Sequence, residues 1–352
     1  MRSWSGTYLF LGWLQNLDPA RFAVYAYALS PDSDGITEQF RACSVQFTLL
    51  PADPAAAAEQ VRGDRLQVLI FPELGMDPPT LRLAALRLAP VQCMAWGQPV
   101  TSGLPTVDYF LSSEAMEPAD GDAHYTETLV RLPHIGVCYP YPTLTAPAHT
   151  RTDLGLRADA VVYLSSQAPY KYLPQHDELY AAIAREVPQA QIVFLRGGIP
   201  PHRLARAFAQ FGLDWERHCT LLPVLPGAAY FDLLRRCDVY LDTPSWSGGN
   251  TSLDAAACGL PMVTWPGPLM RGRHTYGILQ RLGILETVAH SQAEYIAIAV
   301  RLGQDGVWRR AIAARTLAGC AQLFGDRTCV QALAEFLTAV ATGTVPPRRW
   351  AT

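Results

Sequence analysis

Short apolar runs alternate with stretches of helical periodicity along most of this chain. In the first half the runs cover 22–29, 44–49, 67–71, 91–96, 109–112 and 128–132, with helical pieces such as 55–62 and 79–88 between them. The second half repeats the pattern more cleanly. Its runs are 160–165, 191–195, 219–223, 238–242 and 262–265, and its helical stretches 175–186, 201–211, 228–236, 251–258 and 275–282. Three further helices, near 291–303, 306–322 and 328–341, close the chain. Buried strands alternating with helices predict parallel sheets covered on both faces. A proline-rich break, Tyr139-Pro140-Tyr141-Pro142 and then Pro147 up to about Leu156, interrupts the pattern and reads as a linker. The predicted organisation is an N-terminal domain over 1–142, a linker over 143–156, a C-terminal domain over 157–345 and a tail over 346–352. Doubly wound domains bind ligands at the carboxyl ends of their strands, so the expected site is the cleft between the two.

Composition narrows the function. Hydrophobic residues make up 49% of the 352, enough to fill two cores. A net charge of -3 argues against a nucleic-acid groove. The eight cysteines form no CxxC pair and sit mostly in apolar runs, which argues against a zinc site or a disulfide framework and fits a reducing cytoplasm. Arg2 and the apolar run from Tyr8 to Leu14 resemble a weak signal peptide but lack a cleavage site, and an amphipathic first helix is the better reading. No run reaches the ~20 apolar residues of a membrane span.

The strongest candidate chemistry lies at 241–254. A buried strand ends at Asp242, and Gly248-Gly249 then opens a helix whose first turn carries Asn250, Thr251 and Ser252. Glycines admit close approach, and the helix start offers free N–H groups and the positive dipole end, so the segment suits a phosphate. Asp254, one turn on, can accept from a ribose hydroxyl or simply complement the helix dipole. The loop from Pro266 to His274 carries Arg271 and Arg273 for a diphosphate. Lys171 follows the first strand of the second domain and can neutralise a departing phosphate. In the first domain the loop Gly97-Gln98-Pro99-Val100-Thr101-Ser102-Gly103 either binds sugar hydroxyls or is a turn-rich connection. The triplets Asp32-Ser33-Asp34 and Asp120-Gly121-Asp122 stand among turn formers, where aspartate serves the turn rather than a metal.

Taken in order, these segments resemble the catalytic region of the O-GlcNAc transferase and SPINDLY family, glycosyltransferase family 41. The resemblance rests on Tyr27 to Asp32, Leu88 to Gln92, Trp96 to Gly103, Asp108-Tyr109, Leu132-Pro133-His134, Tyr170-Lys171, Leu241 to Pro244, Gly248 to Asp254, Gly259 to Thr264 and Pro266-Gly267 through Arg273. It implies an α/β fold of GT-B type, with two Rossmann-like doubly wound domains facing a cleft. It also implies a metal-independent inverting transfer from a nucleotide sugar, usually UDP-GlcNAc, to Ser or Thr hydroxyls of a protein, with no cofactor. The family's phosphate contacts fall on Asn250 and Thr251, its ribose acid on Asp254 and its leaving-group lysine on Lys171. Base recognition falls near Leu225, with Tyr230 at the stacking position, and the sugar-side loop on Gly97 to Gly103. The family places a strand and a histidine-bearing loop before the first helix. Met1 to Ser5 hold no histidine, so the N-terminal domain is expected to lack its first strand. Gly249 stands where the animal enzymes have histidine and Gln98 where they have an aromatic residue, and the tetratricopeptide array is absent. Guanine-based fucosyl donors occur on the same scaffold. The rival readings are a catalytically impaired nucleotide-sugar binder and another GT-B enzyme, either a sugar-nucleotide epimerase or a glycan-directed transferase.

Overall fold

The computed structural model describes residues 5–344 except Ser33 and Arg196, with side chains from Tyr8 onward. The tail expected over 346–352 lies outside the described residues. The elements, in chain order, begin with α1 (Ser5–Asn16), β1 (Tyr25–Ala28), α2 (Gly35–Ala42), β2 (Gln46–Leu49), α3 (Pro54–Gly63), β3 (Val68–Phe71) and α4 (Pro78–Ala84). There follow β4 (Val91–Ala95), β5 (Tyr109–Ser113), β6 (Thr128–Leu132), β7 (Val161–Ser165), α5 (Glu178–Glu186), β8 (Ala190–Leu195), α6 (Pro201–Ala209) and α7 (Trp215–His218). The last are β9 (Cys219–Leu222), α8 (Gly227–Arg236), β10 (Val239–Leu241), α9 (Asn250–Ala257), β11 (Met262–Val263), α10 (His274–Arg281), α11 (Gln292–Gln304), α12 (Gly306–Leu323) and α13 (Thr328–Ala341).

The chain divides into two compact units, Met1–Pro140 with Phe324–Thr352, and Tyr141–Leu323. The division differs from the sequence expectation at the C-terminal end. Helix α13 belongs to the first unit, because its Phe336 ring stands 5.1 Å from Tyr109 and Thr338 accepts from Arg21. The segment expected as a linker is tied to the second unit: the amides of Ala148 and His149 both donate to Asp232, at 3.0 Å each.

In the second unit a five-stranded sheet runs β11-β10-β7-β8-β9, every pairing parallel. Numbered from β7, this is the doubly wound order 5-4-1-2-3, and the order reverses between β7 and β10. Strands β7 and β8 are buried on both faces almost throughout, which is why they read as unbroken apolar runs.

The first unit holds a four-stranded parallel sheet, β3-β4-β5-β6, and a separate parallel pair, β1-β2. Among the described residues α1 is the first element. Helix α1 holds the two pieces together. Leu11 packs with Ile36 and Phe40 beside β2, while the Phe10 ring meets Trp96 and the Trp13 indole donates to the Gly136 carbonyl at 3.0 Å. Leu9, Phe10, Leu11 and Trp13 are all buried, so α1 is apolar on several sides rather than amphipathic.

Two helices escaped the sequence reading. Helix α2 is short, and the Asp34 that caps its Ile36 and Thr37 amides read only as a turn former. Helix α7 is a single turn capped by Asp214. Among the described residues no helix is long and apolar enough to cross a membrane.

Candidate functional site

The second unit gathers its candidate residues at the carboxyl edge of one sheet. Lys171 follows β7, Leu225 follows β9, the 242–250 loop follows β10, and Arg273 follows β11. The β7 and β10 loops flank the point where strand order reverses, the place where an open α/β sheet has a natural crevice.

Asp242 organises the β10 loop. Its buried carboxylate accepts from the Gly248 amide at 2.8 Å, the Ser247 hydroxyl at 2.6 Å and the Thr264 hydroxyl at 2.7 Å. Burial holds this carboxyl above the ordinary carboxylate range, and the hydrogen bonds offset only part of that rise. The loop therefore curls tightly before α9. At Gly248 it passes so close to Gln167 Nε2, Thr251 Oγ1 and Ser252 Oγ that a Cβ would clash with all three. Gly249, at the N-cap position, adds no side chain in front of the helix start. The start of α9 carries the positive end of the helix dipole, a feature that favours an anion.

Lys171 sits in the short turn Pro169–Lys171 and reaches across to that loop. Its ammonium donates to Gln167 Oε1 at 3.0 Å and to the Ser247 carbonyl at 3.1 Å. Gln167 in turn donates to the Tyr240 hydroxyl at 2.6 Å and to Thr251 Oγ1 at 2.8 Å, so one buried amide connects the lysine to α9. His274, the first residue of α10, is buried nearby. Burial and the Lys171 charge hold its imidazole down at about 3, so it is neutral and adds no second cation.

The remaining candidates fall as follows. Asn250 and Thr251 form the first turn of α9, with the Thr251 hydroxyl bonded to Gln167 and Tyr240. Ser252 is fully buried and shares its hydroxyl with Thr275 at 2.7 Å, which makes its side chain a support of the loop. Arg273 lies over the Tyr276 ring, 4.8 Å from its centre, and donates to the Gly267 carbonyl at 3.3 Å. Burial raises the Asp254 carboxyl to about 7 and, with Asp254 beside it, also pushes up the Tyr230 phenol. Tyr230 lies 3.4 Å from the Ser166 hydroxyl.

In the first unit the Gly97–Gly103 segment is shaped by a residue the sequence did not single out. Glu127, buried, accepts from the Thr101 hydroxyl at 2.6 Å, the Ser102 amide at 2.8 Å and the Ser102 hydroxyl. The two hydroxyls are thus turned onto a carboxylate of their own unit. Gly97 is demanded by the close passage of Pro72 O, and Gly103 by its φ of +67°. Gln98 is half-buried and Pro99 buried. Asp34 caps α2, and Asp122 pairs with Arg131 at 2.6 Å, so both Asp-x-Asp triplets serve local structure.

Sequence reasoning missed Gln167, Asp242, Tyr240, Thr275 and Glu127 as supports. Their partners lie 4 to 84 positions away, a relation only folding reveals.

Residues 12–138 and 143–332 match the sequence model of glycosyl transferase family 41. A curated relative from Arabidopsis thaliana, named "Probable UDP-N-acetylglucosamine--peptide N-acetylglucosaminyltransferase SPINDLY", is 28% identical over 83% of this chain and 33% of its own length. The Arabidopsis thaliana SEC protein is 25% identical over 79% of this chain and 30% of its own length. This chain thus spans about a third of these relatives. Among solved structures, a Thermobaculum terrenum O-GlcNAc transferase mutant superposes with a TM-score of 0.84 at 28% identity, covering 98% of this chain and 67% of that one. Anabaena HepE in complex with UDP superposes with a TM-score of 0.62 at 13% identity, over 95% of this chain and 96% of that one, a likeness of fold alone. The α/β fold is of the GT-B type, with two Rossmann-like units.

Proposed function

This chain belongs to glycosyltransferase family 41, and from that premise we propose that it moves a sugar from a nucleotide-sugar donor, UDP-GlcNAc foremost, to Ser or Thr hydroxyls of a protein acceptor. The observation that carries the reading is the bond between Lys171 and Ser247, which sets an ammonium beside the glycine-opened start of α9 at the sheet's switch point. A donor diphosphate would lie on the α9 start, with Asn250, Thr251 and Arg273 around it. The nucleoside would extend toward Leu225, Tyr230 and Asp254. Anabaena HepE and a pneumococcal O-GlcNAc transferase are both known in complex with UDP, which supports a uracil donor.

The reaction is a single in-line displacement without a metal ion. An acceptor oxygen attacks the anomeric carbon and loses its proton to a base. The bond from that carbon to the diphosphate oxygen breaks, and the diphosphate leaves with the electron pair. Charge grows on the leaving oxygen, and Lys171 and the α9 dipole are already in place to meet it. A neutral His274 leaves that positive field to Lys171. Eight free thiols suit a reducing cytoplasm.

Calorimetric titration with UDP and, separately, GDP, without added metal, tests the donor site. The expected result is saturable binding of UDP. GDP binding instead would move the donor to the guanine class, and binding of neither would end the reading. Release of UDP from UDP-GlcNAc in the presence of acceptor protein distinguishes transfer from the two rivals. An impaired binder releases no UDP, and an epimerase leaves the sugar nucleotide intact as its epimer.

A further inference from the structure

Within the first unit, the strand β2 leaves an edge open. Among the described residues it pairs with β1 and with no other strand, so one of its edges presents a row of unpaired N–H and C=O groups. Other outer strands are guarded. β6 pairs only with β5 and carries Arg131, which reaches Asp122 at 2.6 Å, and β9 keeps all four of its residues at least partly buried. A charge or burial of this kind keeps an edge from pairing with another chain. β2 has neither. From Ser44 to Leu50 it reads Ser-Val-Gln-Phe-Thr-Leu-Leu, with no charged residue, no proline and no glycine. Val45 is 70% exposed and Leu49 51%. Val45, Phe47 and Thr48 are strand-forming types, so the segment has the composition of a strand ready to pair.

The side chains of β2 are arranged symmetrically about Phe47. Successive residues point to opposite faces, so Val45, Phe47 and Leu49 share one face and Gln46 and Thr48 the other. Phe47 packs against the cluster of Leu11, Ile36 and Phe40, with the Arg41 guanidinium 4.3 Å from its ring centre. A second β2 laid antiparallel, with Phe47 opposite Phe47, sets Val45 of each strand against Leu49 of the other and Gln46 against Thr48. Each exposed apolar side chain then gains an apolar neighbour, and each polar one a hydrogen-bonding neighbour. Within one chain Gln46 already donates to the Thr48 hydroxyl at 3.0 Å. The rim adds no repulsion, because Glu38 and Arg41, the exposed charges of α2, pair with each other at 3.4 Å. A pattern that maps onto itself under a two-fold axis fits a copy of the same chain. We propose that β2 is a self-association edge, on which two copies of this chain join β1-β2 to the partner's β2-β1 as one four-stranded sheet. Four residues a side fall short of the roughly 1,600 Å² that a standard stable interface buries, so the dimer is weak and depends on concentration.

Sedimentation equilibrium of the full chain from about 10 to about 500 µM is the test, a range suited to a contact of this size. The unaltered chain is expected to pass from monomer to dimer as concentration rises. Val45→Lys with Leu49→Lys sets like charges opposite each other in both apolar pairs and should weaken the dimer about 10-fold or more. Val45→Lys with Leu49→Glu charges the same two exposed positions, but each lysine then faces the partner's glutamate, and association should be kept. Circular dichroism checks that both variants are folded. Amide exchange of Gln46–Leu49 in the unaltered chain needs no variant and should slow at the top of the concentration range. A chain that stays monomeric throughout would overturn the proposal. So would a like-charge variant that dimerises as the unaltered chain does, or exchange in β2 that ignores concentration, because either would move the contact to another surface. Equal weakening in the two charged variants would exclude the antiparallel register and overturn it too.

Discussion

The two units build the same kind of parallel sheet with different continuity. In the second, β11-β10-β7-β8-β9 is unbroken, and the loops after β7 and β10 meet at the reversal of strand order. In the first, β2-β1 stands apart from β3-β4-β5-β6, and α1 joins the pieces by side-chain packing. Backbone ladders fix loop ends to within a hydrogen bond, and packing alone fixes them less tightly. The continuous sheet carries the lysine, the glycine-opened helix and the buried Asp242–Gln167 scaffold, a network that needs precise loop ends. The lesson is that candidate chemistry follows sheet continuity in this protein.

Four measurements break or sharpen that contrast. The largest effect is expected from Lys171→Met, which should lower transfer by about 100-fold to 1000-fold while UDP affinity changes little. An unchanged rate would remove Lys171 from the mechanism. Next comes Gly248→Ala. The new methyl would meet Gln167, Thr251 and Ser252, so UDP binding should weaken roughly 10-fold, the scale of overpacking a tight site. Full retention of binding would show that the loop yields, contrary to a rigid scaffold.

Asp254→Asn is the third. The folded carboxyl titrates at about 7, above its unfolded value of about 4, so folding takes up a proton between those values. The stabilisation from this group is complete below about pH 4 and is lost as pH rises through 7, at up to about 1.4 kcal/mol per unit. The variant should therefore be the more stable protein at pH 8 and show a flatter profile between pH 4 and 7 in denaturant titrations, while binding UDP more weakly. Parallel profiles would place the Asp254 titration elsewhere. The smallest effect is in amide exchange: Tyr25–Ala28 of β1 should exchange faster than Val239–Leu241 of β10, which is paired on both sides. Equal protection would mean α1 closes the first unit as firmly as a ladder would.

The sequence by itself determined most of the fold class. Short apolar runs placed most of the strands, helical periodicity between them marked most of the helices, and the order of motifs carried the family resemblance. It also placed the tight loop before α9, because a strand followed by Gly-Gly and a hydroxyl-bearing helix start is a local pattern whose physics is local. The tertiary structure alone decided what depends on residues far apart in the chain. It assigned α13 to the first unit through Phe336 and Tyr109, turned the Thr101 and Ser102 hydroxyls onto Glu127, buried Ser252 against Thr275, and stood Trp246 beside Tyr170. Composition and periodicity report how a segment meets solvent. Which buried partner completes a given donor or ring is settled only when the strands have been ordered and the loops after them brought side by side.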